Sequence, residues 1–120
     1  MSASILPPID YPEFRRRLDD DDELIAEVIA IFLEDYPARL AELQQALDAG
    51  DWSQVRATAH ALKGAASNLA SDGTATRAGQ LELACGGPDT AAILVHCGAL
   101  EAEVRRLAQA LESIAAGEPR

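Results

Sequence analysis

Apolar side chains recur along most of the chain at intervals of three and four residues, the period of a helix with one buried face. The clearest series lies near the C-terminus. Ile93, Cys97, Leu100, Val104, Leu107, Leu111 and Ile114 form one narrow seam and predict a helix over 90–115. A broader face running from Leu24 and Ile25 through Phe32, Leu33 and Tyr36 to Leu43 and Leu47 predicts a long helix over 23–49. Pro37 lies inside it and is expected to kink or divide it near Asp35, because proline lacks an N–H and crowds the preceding turn. Val55, Ala59, Leu62, Ala66 and Leu69 predict a third helix over 52–70, and shorter helices fit 10–18 and 74–85. No stretch alternates with the period of a strand.

The residues between these segments act as stops and starts. Asp10 can cap the first helix, with Pro12 in its first turn. The acidic run Asp19 to Glu23 suits the N-terminus of the long helix, where carboxylates meet unpaired N–H groups and the positive end of the dipole. Gly50 is placed to end that helix in a left-handed conformation, and Asp51 with Gln54 forms a capping-box pattern for the next. Ser71-Asp72-Gly73 and Gly86-Gly87-Pro88-Asp89 read as breaks. Short turns between long amphipathic helices make antiparallel neighbours. The expected fold is all-α, an up-and-down antiparallel four-helix bundle with a short extra N-terminal helix. It occupies residues 10–116, after a flexible lead-in over 1–9 and before a tail over 117–120.

Composition narrows the function. At 120 residues the chain is long enough for one core, and 48% of it is apolar while only 4% is aromatic, as helices packed through small and aliphatic side chains require. A formal charge of −10 repels a polyanion, so nucleic acid is a poor partner, and it disfavours anionic membrane surfaces. No apolar run approaches the ~20 residues that span a bilayer, and the N-terminus lacks the basic and apolar regions of a signal peptide. Cys85 and Cys97 make no disulfide framework. The expectation is a cytoplasmic protein.

The third helix carries the chemistry. Opposite its apolar stripe lie Ser53, Arg56, His60, Lys63, Gly64 and Ser67. His60 is therefore on the polar face rather than in the core. A neutral imidazole is a competent nucleophile near neutral pH. Lys63, at i+3, can set its ammonium beside a phosphoryl group on that histidine. Gly64, at i+4, clears the patch for another protein's backbone, and Ala57 and Ala61 flank the histidine with small apolar surface. A solvent-facing histidine near a lysine is also an ordinary feature of helices, but glycine in an alanine-rich helix costs about 1 kcal/mol and asks for a reason.

The stretch Ala59-His60-Ala61-Leu62-Lys63-Gly64-Ala65-Ala66-Ser67-Asn68-Leu69 resembles the signature of histidine-containing phosphotransfer domains. Phe14 and Leu18, the acidic start and Phe32-Leu33 of the long helix, and Ala49-Gly50-Asp51 extend the resemblance over residues 10 to 115. It implies that His60 is the phosphorylated residue, Lys63 the charge partner of the phosphoryl group and Gly64 the position that admits a receiver domain. It further implies an imidazole-orienting residue on the following helix. Glu82 falls at that position without a gap, with Gln80 as the competing candidate, because Ala70-Ser71-Asp72-Gly73 departs from the family's usual break.

The same resemblance implies a phosphorelay carrier that is not an enzyme, has no kinase activity and has no cofactor of its own, Mg²⁺ belonging to the partner. The partners implied are receiver domains of a hybrid histidine kinase or response regulator, approaching a monomer over Arg56, Ala57, Ala61 and Ser67. Arg15, Arg16, Arg17, Arg56 and Arg77 are either docking residues or plain solvated charges. Three rivals belong to other classes: a helical module that only sequesters a receiver or other regulator, a structural or oligomerisation bundle, and a metal site. The last would draw on His60, His96, Cys85 and Cys97, whose spacing matches no ligand motif. Neighbours His96 and Cys97 project about 100° apart on one helix.

Overall fold

The computed structural model describes residues 7–117. Within them the chain forms α1 (Tyr11–Arg17), α2 (Asp22–Asp48), α3 (Trp52–Asn68), α4 (Asp72–Cys85) and α5 (Thr90–Ala115). Four of the five begin at an aspartate whose carboxylate accepts a backbone N–H two or three residues into the helix. Asp10 takes that of Glu13, Asp21 that of Leu24, Asp51 that of Gln54 and Asp89 that of Ala92, at 3.1 to 3.2 Å. Such a cap contributes about 1 kcal/mol.

α3 packs on α4, α4 on α5, α5 on α2 and α2 on α3, closing the four long helices into a ring. Leu43, Val55, Leu62, Leu81, Leu100 and Leu107 fill its interior without measurable exposure or nearly so. Phe14 brings α1 into the same core. Each such side chain contributes about 1.5–3 kcal/mol relative to leaving it in water. Every member of the apolar stripe expected on α3 is buried, as is the α5 seam down to Leu111.

Four expectations need correction. Pro37 does not divide α2, which is helical on both sides of it because Ile25, Ile29 and Phe32 before it and Leu40, Leu43 and Ala46 after it are buried together. The capping box at α3 is half made. The Asp51 N–H already donates to the Ala46 carbonyl at 2.9 Å, so the Gln54 amide donates to Thr58 Oγ1 at 3.2 Å. The break between α3 and α4 comes earlier than Ser71-Asp72-Gly73. Ala70 takes φ +55°, and Asp72 and Gly73 lie in the first turn of α4.

The fourth concerns the lead-in, which does not extend to Pro8 and Ile9. Ile9 is buried, the Asp10 N–H donates to the Ala70 carbonyl at 3.0 Å, and the buried Ser71 hydroxyl donates to the Pro8 carbonyl. The rest of the expected lead-in, residues 1–6, and residues 118–120 of the tail lie outside the described residues.

Candidate functional site

The antiparallel pair α3 and α4 builds the site. Toward the core α3 presents Val55, Ala59, Leu62 and Ala66, and α4 presents Thr74, Ala78 and Leu81. The residues about 80–140° round each helix from those stripes then face one another at the outer seam. On α3 these are His60 and Lys63, and on α4 Gly79 and Glu82. A Cβ on Gly79 would lie 3.8 Å from Lys63 Cδ, so the lysine stem runs across that glycine.

His60 Nδ1 lies 3.0 Å from Glu82 Oε2, and Lys63 Nζ lies 3.0 Å from Glu82 Oε1. The imidazole is 72% exposed and the Glu82 side chain only 15%. A nearly buried carboxylate thus holds an exposed imidazole by one edge. Burial pushes the Glu82 carboxyl up, but Lys63 and then His60 outweigh it and leave it below the usual carboxylate range. Glu82 Oε1 is buried and makes no well-aligned hydrogen bond. Lys63 meets it as an ion pair, by proximity rather than by direction.

An ionised carboxylate can only accept. The contact therefore places the proton of neutral His60 on Nδ1 and leaves the Nε2 lone pair for solvent or a reactant. Gln80, the competing candidate, is exposed and projects about 160° away from Glu82 round α4, so it does not reach the imidazole.

The other sequence-selected residues surround this centre. Arg56, Ala57, Gly64 and Ser67 are exposed and Ala61 is half-buried. A Cβ on Gly64 would meet nothing within 4 Å, so no contact inside the molecule calls for glycine there. The Ser67 carbonyl accepts from Arg17 Nη1 at 2.8 Å, which ties the end of α3 to α1.

The α1 arginines are engaged within the molecule. Arg16 and Arg17 pair with Glu13, and Arg15 with Asp20 and Asp22. Among the described residues no three His, Cys, Asp or Glu side chains are grouped to hold a metal ion. Cys97 is buried in the seam, where desolvation pushes its thiol up to about 11. One residue beside the site escaped the sequence reading. Leu83, next to Glu82, is 81% exposed. The signal was available: Leu83 lies off the α4 stripe, on the side opposite the core.

Comparison with known proteins adds the following. The family model of the Hpt domain matches residues 27–117. The crystal structure of histidine-containing phosphotransfer protein B from Pseudomonas aeruginosa PAO1 superposes with a TM-score of 0.84. It is 22% identical, and the match covers 96% of this chain and 100% of that one. At that identity the likeness concerns the fold. Among curated protein sequences the chain finds no match.

Proposed function

The chain belongs to the Hpt domain family, the histidine-containing phosphotransfer domains, and from that premise we propose that His60 Nε2 is its phosphoryl carrier in a phosphorelay. The single observation that carries this assignment is the Nδ1 contact with Glu82 at 3.0 Å, which fixes the tautomer and leaves an exposed nucleophilic nitrogen.

In the forward step Nε2 attacks the phosphorus of an aspartyl phosphate on a receiver domain. The P–N bond forms as the P–O bond to the aspartate breaks, and the aspartate leaves as a carboxylate with the bonding pair. The imidazole keeps its Nδ1 proton, and its new positive charge faces the Glu82 carboxylate. Lys63, half-exposed beside it, offsets the charge of the incoming phosphoryl oxygens. Donation to a second receiver reverses these steps. Phosphoryl transfer depends chiefly on positioning and charge, so the docked complex supplies most of the catalysis.

In this reading the chain is a carrier rather than a kinase, brings no cofactor, and leaves Mg²⁺ to the receiver. Glu82 is a positioning residue, Gly64 admits the partner, and Arg56, Ala57, Ala61 and Ser67 belong to the docking surface. Among the described residues no helix is long and apolar enough to cross a membrane.

The test is transfer from a receiver phosphorylated by its kinase to wild type and His60→Gln. Wild type is expected to take an acid-labile, alkali-stable label and the variant none. If wild type binds a receiver tightly but stays unlabelled across a broad panel, the chain is a sequestering module instead.

A further inference from the structure

We infer that Leu83 is a contact for the receiver domain that visits His60, buried only while the two proteins are docked. The inference rests on the carrier reading above and adds to it the chemistry of the partner's surface.

α4 needs no apolar residue at this position. Its inward stripe is complete with Thr74, Ala78 and Leu81, each at most 1% exposed, and Glu82 covers the seam with α3. Leu83 stands a further 100° or so round the helix and is 81% exposed, the most exposed large apolar side chain among the described residues. Its place relative to His60 is fixed by its neighbour, since Glu82 Oε2 lies 3.0 Å from His60 Nδ1. A protein that docks specifically covers about 800 Å² on each partner, a patch on the order of 15 Å in radius. Any partner that brings an aspartate to His60 therefore covers Leu83 as well.

The surroundings leave it prominent. Gly64 and Gly79 have no side chains, Ala57 has only a methyl group, and Lys63 lies down along Gly79. Ile31, Leu94 and Val95 are also exposed, but on α2 and α5, which contribute no side chain to the site. The occupant the geometry fits is a receiver that presents an apolar side chain beside its phosphorylated aspartate.

The experiment compares wild type, Leu83→Asp, Leu83→Ala and Leu83→Met as full chains with matched thermal melts. Each is labelled by phosphoramidate, a small donor that needs no docking, and separately by a phosphorylated receiver at increasing concentration. With phosphoramidate all four are expected to label alike. With the receiver, kcat/KM is expected to fall about tenfold or more for Leu83→Asp, less for Leu83→Ala, and to stay near wild type for Leu83→Met.

Receiver transfer to Leu83→Asp within twofold of wild type overturns the contact while leaving the carrier reading intact. Loss of the phosphoramidate label in Leu83→Asp overturns it too, because Leu83 would then act on the histidine rather than on the partner. Wild type that takes label from neither donor overturns the carrier reading, and this inference with it.

Discussion

Both oxygens of the Glu82 carboxylate are engaged, one by the His60 ring and one by the Lys63 ammonium. Removing the side chain frees the imidazole to rotate and change tautomer, and releases Lys63. A hydrogen bond to a charged group contributes about 1.5–3 kcal/mol, so Glu82→Ala is expected to slow single-turnover phosphoryl transfer by about tenfold or more. Glu82→Gln keeps an oxygen that can accept from Nδ1 and is expected to recover most of that loss. Equal rates for wild type and Glu82→Ala would remove Glu82 from the mechanism. His60, Lys63 and Gly64 were legible as a cluster on one polar face. Glu82 was reached only by counting from the family signature, because its partners lie on another helix and periodicity does not pair helices.

Among the helices, two chain reversals use the same hydrogen bonds with different residues. After α2, Gly50 at φ +66° sends its N–H to the Leu47 carbonyl, and Asp51 sends its own to Ala46. After α3, Ala70 at φ +55° donates to Ser67 and Ser71 to Ala66. Both close a helix in the Schellman manner. The first was legible because glycine advertises the left-handed conformation. The second was not, because alanine does not, and the nearby Gly73 drew the expected break into what is the first turn of α4. The starts of α1, α2, α3 and α5 and the end of α4 were legible because aspartate caps and the Gly86–Asp89 turn mark them. The end of α1 was not, because it closes through Asp19 and Asp20 at φ +54° and +55°, which read as part of the acidic start of α2. Gly64 offers the test at this scale. Its conformation is helical and a methyl group there meets nothing, so Gly64→Ala should stabilise the protein by about 0.5–1 kcal/mol in denaturant unfolding. It should also slow transfer from a receiver, because the methyl group enters the approach path. A variant that is more stable and transfers at the wild-type rate would show that Gly64 does not serve docking.

Across the whole molecule the formal charge of −10 is offset locally around α1. Hydrogen bonds from Arg16 and then Arg17 hold the Glu13 carboxyl down at about 2, against an ordinary 4.5. A carboxylate whose folded value is depressed contributes stability above its unfolded value and loses it as pH falls through the folded one. Glu13 is half-buried, with its side chain 30% exposed, so solvent still screens the contribution and it is small. It is best read as a difference. The gap in melting temperature between wild type and Glu13→Gln should be constant above about pH 5, narrow below pH 4.5 and close near pH 2. A gap that holds steady to pH 2 would show that the pairs do not stabilise the fold. The comparison cancels the molecule-wide relief of repulsion on acidification, which acts on both proteins. The ring of four helices was legible from period and turns. The hydrogen bonds that tie Pro8 to Ser71 and Asp10 to Ala70, and the burial of Ile9 between them, were not, because two prolines in a short aperiodic stretch carry no sign of what covers them.

The most direct measurement is phosphorus–proton and nitrogen–proton correlation NMR on the protein labelled by a phosphorylated receiver. One phosphoryl group on His60 Nε2, with the Nδ1 proton retained beside Glu82, is the predicted result. A phosphoryl group on Nδ1, or on any residue other than His60, would contradict the account.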